Sequence, residues 1–250
     1  MTHKCGIELR LMNVGGATVL GALLACAPPV ATAYDAITVT NGGTIEGVVK
    51  LTGDHPVLPA IKVTKNQDYC GQTIPNPAYE VGKDGVLQNV IVYLKEISKG
   101  KANASEPIEL KNEHCMFSPR VQAVSVGQSI KISSADPVLH NTHPQDSETN
   151  TTLYNIALPF KGFSVTKPLP GTPGLIKVKC DAHEWMHAWI LELPHPYAAT
   201  TTQDGHFVLR DVPPGTYQLV AWHEALGEKT TAVTVTSGQT AKTDFQFAAK

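Results

Sequence analysis

Residues 173–193 read PGLIKVKCDAHEWMHAWILEL, and this stretch combines two strand-like runs with a cluster of metal-binding side chains. The runs LIKVKC and HAWILEL are short and rich in β-branched, aliphatic and aromatic residues, which is typical of buried strands. Between them, Cys180, His183 and Met186 follow one another at intervals of three residues. Thiolate and thioether are soft metal ligands, and imidazole binds the same transition metals. The sequence therefore predicts two strands joined by a metal-binding loop.

So short a loop cannot surround a metal ion, and a second imidazole must come from another part of the chain. His140, in ADPVLHNTH, follows a strand-like run and lies 40 residues before Cys180. Two imidazoles and one thiolate, with a weak axial thioether, suit both Cu(I) and Cu(II) with little reorganisation. We therefore predict one copper ion bound by His140, Cys180, His183 and Met186.

Other polar side chains lie near these ligands in the sequence. Four of them are candidates for extra ligands or for groups that support the ligands: Asn141, His143, Glu184 and His187. A carboxylate at Glu184 would favour Cu(II) if it approached the metal. The more distant His195, His206 and His223 show no ligand spacing, so we expect them at the surface.

The chain after residue 34 reads as β throughout, with Gly, Pro, Asn and Asp between short strand-like runs, which predicts sandwiches or barrels. We divide it into 34–105, 106–195 and 196–250, with the ligands in the middle segment. The last segment, at 55 residues, is small for an independent core. We expect it to share a small sandwich with the first segment, the middle segment being inserted between them, or else to follow the middle domain.

Residues 1–33 resemble a secretory signal peptide. Lys4 and Arg10 precede an apolar run, and Ala31-Thr32-Ala33 fits a cleavage site. We therefore expect an exported protein, periplasmic or secreted. The sequence LLAC also leaves open a lipid anchor on Cys26. No later segment approaches the 18 or so apolar residues of a membrane span.

Charge and cysteine content limit the partners and the compartment. The formal net charge is −2, with 20 basic and 22 acidic residues, which gives no indication of nucleic-acid or anionic-membrane binding. Outside the signal peptide, the chain has Cys70, Cys115 and Cys180. Exported thiols tend to pair, and three cannot all do so. We predict a Cys70–Cys115 disulfide and a metal-bound Cys180, the alternative being that Cys180 pairs with one of the other two.

The middle segment resembles the cupredoxins, the type 1 blue copper proteins, and most of all the amicyanin–plastocyanin–pseudoazurin group. The resemblance rests on MFSPRVQAVSVGQSIKI, on PVLHNTH and on PGLIKVKCDAHEWMHAWILEL, and it covers roughly 90 residues. It implies a Greek-key β-sandwich with the four ligands named above, and it gives Asn141 the role of bracing the ligand loop. It also implies that electrons enter beside an exposed His183, where Trp185 would contact a redox partner, the alternative being that Trp185 packs into the sandwich.

The resemblance to the cupredoxins has two departures. Glu184 stands where the family usually has a proline, and Val178 and Lys179 replace the usual aromatic pair before the cysteine. The flanking segments are similar to a carboxypeptidase-regulatory-like, or prealbumin-like, β-sandwich. That second resemblance rests on GTIEGVV, DGHFVLRDVPPGTYQLVAW and VTVTSGQTAKTDFQF.

These observations favour an exported one-electron carrier with a single type 1 copper, exchanging electrons with a redox protein. One alternative is a periplasmic copper storage or delivery protein, which an exposed set of His114, Met116, His143 and His187 would support. The other is a secreted carbohydrate- or protein-binding β module without redox activity. We expect no enzymatic activity, because an oxidase or nitrite reductase needs further copper centres and the sequence has only one cysteine-bearing ligand loop.

Overall fold

The computed structural model of the protein describes residues 34–54 and 57–249. The signal peptide predicted at 1–33, with Cys26, lies outside these residues, as do residues 55–56 and 250. All described residues fall within one compact unit. Among them, no helix is long and apolar enough to cross a membrane.

The predicted all-β fold class is confirmed, since strands form nearly all of the regular structure that is described. Besides the strands, residues 34–54 and 57–249 contain one helical turn, α1 (Gln67–Cys70), and a 3-10 turn at Lys83–Gly85. The strands up to residue 134 are β1 Asp35–Ala36, β2 Gly43–Thr52, β3 Ile61–Lys62, β4 Thr73–Ile74, β5 Ile91–Leu94, β6 Lys99–Gly100, β7 Ile108–Glu113, β8 Met116–Ser118, β9 Val121–Ser125 and β10 Ser129–Ser134. The later strands are β11 His140–Asp146, β12 Ile156–Leu158, β13 Ser164–Pro168, β14 Gly174–Lys179, β15 His187–Leu193, β16 Ala198–Thr200, β17 His206–Val212, β18 Gly215–His223, β19 Gly227–Val235, β20 Thr240–Lys242 and β21 Phe245–Ala248.

The strands between residues 108 and 193 form two sheets that share one core. One sheet has the order β13-β10-β7-β8, and the other has the order β12-β11-β14-β15-β9. Their inward side chains bury an apolar cluster that includes Leu110, Ile132, Val178 and Ile190. Burial of such side chains is the main favourable term for a sandwich of this kind. We call this part the metal-side sandwich.

Strands from both ends of the described chain build the remaining larger sheets. β2 pairs with β17, β20 and β21, and β5 lies between β16 and β18. A second core lies here, with Ile45, Val92, Leu219 and Phe245 among its members. This pairing supports the proposal that segments 34–105 and 196–250 share one sandwich into which 106–195 is inserted.

The sequence of β2 explains its place in the middle of a sheet. Alternate residues of GTIEGVVKLT, from Gly43 to Leu51, are buried, which is the period expected for a strand. Gly47 belongs to this buried set, and a Cβ there would lie 1.9 Å from the carbonyl oxygen of Thr243. The close approach of the neighbouring backbone therefore requires glycine at this position.

Candidate metal centre

The predicted ligand loop connects β14 and β15, which are hydrogen-bonded up to the pair Lys179–His187. Backbone hydrogen bonds fold the loop tightly. The N–H of His183 donates to the carbonyl of Cys180 at 3.3 Å, and the N–H of Met186 donates to the carbonyl of His183 at 2.9 Å. The N–H of Cys180 donates to the carbonyl of Met186 at 3.3 Å. These bonds turn His183 back toward Cys180.

His140 reaches the same place from the neighbouring strand. It is the first residue of β11, which is antiparallel to β14 with His143 opposite Lys179. The start of β11 therefore lies beside the end of β14, where Cys180 follows. The sheet thus joins two parts of the chain that are 40 residues apart in sequence.

The three side chains converge in the interior. The Sγ of Cys180 lies 3.9 Å from Nδ1 of His140 and 3.7 Å from Nδ1 of His183, and the two Nδ1 atoms are 3.0 Å apart. His140 and His183 are 0% exposed and Cys180 is 1% exposed. Three potential ligand atoms thus surround one small volume from which solvent is excluded.

The outer nitrogens of both histidines have defined partners. Nε2 of His140 is 2.9 Å from Oδ2 of Asp136, and Nε2 of His183 is 2.9 Å from Oδ1 of Asn66. Both oxygens accept hydrogen bonds, so each Nε2 carries the proton and each Nδ1 presents a lone pair. Two lone pairs that face each other at 3.0 Å repel, and a cation between them and the thiolate removes this repulsion. The donor set therefore fits a metal ion.

The protonation states of His140, His183 and Cys180 also fit metal binding. Burial lowers the pKa of His140, and burial followed by the neighbouring His140 lowers the pKa of His183 to about 4. Both imidazoles are therefore neutral near pH 7, the form that binds metals. Burial raises the pKa of the Cys180 thiol, although backbone N–H groups oppose this effect. Metal binding would thus displace the thiol proton.

Asn141 links the two sides of the centre. Its backbone N–H donates to Sγ of Cys180 at 3.4 Å, and its Oδ1 accepts from the N–H of Ala182 at 3.0 Å. Its Nδ2 donates to Oδ1 of Asn155 at 2.7 Å and to Oδ2 of Asp181 at 2.9 Å. The side chain therefore connects β11 to the ligand loop, and its backbone amide points at the sulfur.

Asp136 is the partner of His140 and also caps a tight turn. His114 and Cys115 connect β7 to β8 with φ values of 52° and 57°, a two-residue hairpin loop of the left-handed kind. Both backbone N–H groups of this loop donate to the Asp136 carboxylate at 2.8 Å. Burial would raise the pKa of Asp136, but hydrogen bonds from Cys115, Tyr69, His114 and His140 lower it. The carboxylate is thus ionised and fixed.

The predicted Cys70–Cys115 disulfide is confirmed, and Cys180 is the free cysteine of the described residues. The bridge joins α1 to the β7–β8 turn, with the two Cα atoms 5.6 Å apart. Cys115, Asp136 and His140 also lie close together, with potential ligand atoms within 4.8 Å of one another. The Cys115 sulfur is already bonded to Cys70, so this second group does not supply a thiolate.

The remaining predicted residues have different surroundings. Met186 is 1% exposed and belongs to the core of the metal-side sandwich. The side chain of His143 contacts Asp181 at 3.0 Å and Thr152 at 2.8 Å, away from the three converging groups. His187 pairs with Glu224 at 3.2 Å, and Glu184 is exposed. None of these last three side chains is brought to the Cys180 sulfur by the hydrogen bonds of the described residues.

The structure decides between the two expected positions of Trp185 and corrects the expected exposure of His183. Trp185 is 7% exposed and its Nε1 donates to the carbonyl of Cys115 at 3.0 Å, so it lies in the core and not at a surface patch. His183, which we expected to be exposed, is covered by Asn66. Trp185 packs beside it, with ring centroids 4.9 Å apart. His183 is buried because the segment 34–105, which contains Asn66, folds over this end of the metal-side sandwich.

Two further expectations were wrong. His195 and His223 are each 1% exposed and not at the surface. Tyr34 and Tyr197 pack beside the ring of His195, and Tyr79 and Phe247 pack beside the ring of His223. Burial lowers the pKa of His195, and burial lowers that of His223 to about 4. His206, by contrast, is exposed as expected.

Sequence reasoning missed Asn66 and Asp136. Asp136 precedes His140 by four residues and could have been considered as its partner, because metal-bound histidines commonly donate to a carboxylate. Asn66 is separated from His183 by 117 residues and lies in another segment. No pattern in the sequence pointed to it.

One part of the chain matches a family model. Residues 193–248 match the family described as the carboxypeptidase regulatory-like domain, which confirms the resemblance predicted for the last segment. No curated protein matches the chain.

Several solved structures are similar over part of the chain. A purple cupredoxin from Nitrosopumilus maritimus is 18% identical with a TM-score of 0.31, the match covering 34% of this chain and 99% of that one. A copper-containing nitrite reductase from Thermus scotoductus is 18% identical with a TM-score of 0.33, over 41% of this chain and 25% of that one. An amicyanin mutant in its Cu(I) form is 13% identical with a TM-score of 0.30, over 35% of this chain and 82% of that one. The chain is therefore similar to cupredoxins over part of its length and to the carboxypeptidase regulatory-like domain at its C-terminal end.

Proposed function

We propose that this protein is an exported electron carrier in which His140, Cys180 and His183 bind one copper ion, with Met186 as a weak fourth ligand. The observation that carries the proposal is the convergence of two Nδ1 lone pairs and one sulfur in a buried volume. The copper would supply a Cu(I)/Cu(II) couple of the type 1 kind. We infer that the redox partner is another protein and that the chain is not itself an enzyme.

The residues of the chain would act by holding the ligands still. Asp136 and Asn66 fix the rings of His140 and His183, so their Nδ1 atoms keep one orientation. Asn141 holds the cysteine sulfur through its backbone N–H and holds the loop through its side chain. A ligand set that does not move between two charge states needs little reorganisation, which is what rapid one-electron transfer requires.

Export is supported by the disulfide. Disulfides persist in oxidising compartments and are rare in the cytosol of most organisms. The Cys70–Cys115 bridge therefore agrees with the signal peptide expected at 1–33. We place the protein in the periplasm or outside the cell, with a lipid anchor on Cys26 as the alternative form.

The test is a visible absorption and EPR spectrum after addition of Cu(II). We expect an intense thiolate-to-copper band with narrow hyperfine splitting, absent in Cys180→Ser and disturbed in His140→Gln. His143→Gln is the matched control, since His143 is bonded to Asp181 and Thr152 and should leave the band intact.

The other results would overturn the proposal. A colourless protein that binds only Cu(I) would indicate copper storage or delivery. A protein that binds no copper would indicate a carbohydrate- or protein-binding module.

A further inference from the structure

One short segment outside the metal-side sandwich contacts the outer nitrogen of one proposed ligand histidine and the hydrogen-bond partner of the other. We call residues 66–70 the clamp. Oδ1 of Asn66 lies 2.9 Å from Nε2 of His183. The hydroxyl of Tyr69 donates to Oδ1 of Asp136 at 2.8 Å, and Oδ2 of that carboxylate accepts from Nε2 of His140 at 2.9 Å. The clamp therefore contacts one histidine directly and the other through one carboxylate.

The clamp is attached to the rest of the protein at several points. At its base, β3 pairs with β4, and the N–H of Val63 donates to the carbonyl of Gln72 at 3.0 Å. Val63 is 0% exposed and Ile74 is 7% exposed, and both belong to the core of the metal-side sandwich. At its far end, the disulfide joins Cys70 to Cys115. A segment held at both ends keeps Asn66 in place without a long helix or a central strand.

Asn66 itself has the conformation that this contact needs. Its φ is 53°, in the left-handed region that asparagine tolerates better than most residues. The backbone carbonyl of Asn66 accepts from the N–H of Tyr69 at 3.0 Å and from that of Cys70 at 2.8 Å. Its side chain is therefore directed by the turn that begins α1. This turn covers the ring edge of His183, which is 0% exposed.

We propose that the clamp positions both histidines and closes the His183 edge of the centre to small molecules, with Asn66 and Tyr69 as its positioning residues. This rests on the proposed function in that the two histidines are taken to be ligands. Asn66 fixes the Nε2–H tautomer of His183, so Nδ1 remains free toward Cys180. Tyr69 holds the Asp136 carboxylate in place, and that carboxylate fixes the Nε2–H tautomer of His140. Electron exchange with small soluble complexes at the His183 edge is therefore slow.

The first experiment uses the full-length, metal-free protein. Asn66→Gly removes the side chain without straining the left-handed backbone, and Asn150→Gly is the matched control, since Asn150 is exposed with a φ of 58°. Carbethoxylation of each histidine is followed by peptide mass spectrometry. We expect His183 to react about fivefold faster in Asn66→Gly, the factor that corresponds to one lost hydrogen bond of ordinary strength. Exposed His206 is the internal reference and should not change.

A second measurement separates positioning from simple destabilisation. Long-range proton–nitrogen NMR of the metal-free protein identifies which ring nitrogen of His183 carries the proton. We expect the Nε2–H tautomer in the wild type and a mixture in Asn66→Gly, with recovery in Asn66→Asp, which keeps an acceptor oxygen. Tyr69→Phe should change the ring resonances of His140, whereas Tyr93→Phe, which removes another tyrosine–carboxylate hydrogen bond, should not.

The outcomes distinguish the two proposals. Equal reactivity of His183 in wild type and Asn66→Gly, or an equal rise in Asn150→Gly, would overturn the clamp. So would an unchanged tautomer. With copper bound, Asn66→Gly should exchange electrons faster than the wild type with a small ruthenium ammine complex. If the wild type gives no thiolate-to-copper band, the electron-carrier proposal fails, and the metal-free measurements still decide the clamp.

Discussion

Arg120 and Glu224 form an ion pair in the interior, where their side chains are only 5% and 8% exposed. Arg120 immediately precedes β9 of the metal-side sandwich, and Glu224 immediately follows β18 of the other sandwich. Nε1 of Trp189 donates to the same carboxylate at 2.7 Å, and Arg120 also donates to the carbonyl of Pro77 at 2.7 Å. Burial alone would raise the pKa of Glu224, but His187 and Arg120 lower it to about 2. The pair therefore links the metal-side sandwich to the other sandwich.

Removing only the cation should destabilise the protein strongly. Arg120→Met leaves the Glu224 carboxylate buried without its main partner, and we expect a loss of about 3 kcal/mol in the free energy of unfolding. The double variant Arg120→Met, Glu224→Met should recover part of this loss, because no unpaired charge remains. Urea unfolding at pH 7 measures both. If the loss in the double variant equalled the sum of the losses in Arg120→Met and Glu224→Met, this account would be contradicted.

His223 should make stability depend on pH between about 6.5 and 4. Burial lowers its pKa to about 4 in the folded protein, so the unfolded chain binds the proton first as the pH falls. The free energy of unfolding is therefore highest above pH 6.5 and falls as the pH is lowered toward 4. The total loss that His223 causes over this range is roughly 3 kcal/mol. Unfolding curves of the wild type should therefore shift more over this range than those of His223→Gln. His206→Gln is the exposed control and should keep the wild-type slope.

Glu192 is a buried carboxylate that should weaken the fold at neutral pH. It is 0% exposed, its Oε2 has no partner within the described residues, and burial raises its pKa despite the hydrogen bond from Gly171. Glu192→Gln keeps the Gly171 acceptor and removes the charge, so we expect about 1 kcal/mol more stability at pH 7. The gain should vanish below the ordinary glutamate pKa, where the carboxyl is protonated in both states. A gain that persists at low pH would show that charge is not its cause.

The disulfide should contribute to both stability and the metal centre. It joins residues separated by 45 positions, and replacing both cysteines by alanine should cost roughly 4 kcal/mol in the chain-entropy account. The same change frees the clamp, so copper should be bound less tightly. Urea unfolding and competition with a copper chelator measure the two effects. Chemical reduction of the wild type is the control and should reproduce them.

Asp136 should be needed for metal affinity. Asp136→Asn keeps the shape of the side chain but weakens its hydrogen bond to Nε2 of His140. Changes to residues that hydrogen-bond a metal ligand typically lower metal affinity by roughly 10- to 100-fold. Asp146→Asn is the matched control, since that carboxylate caps a turn through Glu148 and Thr149 without contacting a histidine. Copper titration of the folded variants checks this. Equal losses in both would indicate a general effect of turn stability.

Local patterns allowed a large part of the structure to be predicted. The strands β14 and β15 follow from β-branched runs on either side of the loop, and the Cys70–Cys115 bridge follows from the count of cysteines in an exported chain. The grouping of Cys180 and His183 needs only one turn, so spacing was enough to predict it. Burial of Trp185, His195 and His223 was not predictable in the same way, because it depends on which strands pack over them.

By itself, the sequence determined the all-β class and the disulfide and predicted the donor residues, because alternation, residue type and short spacing act over a few positions along the chain. Only the tertiary structure decided what surrounds those donors. Asn66 meets His183 and Arg120 meets Glu224 across 117 and 104 residues. Such contacts form only when distant strands pair and exclude water, and no local property of either residue specifies its partner.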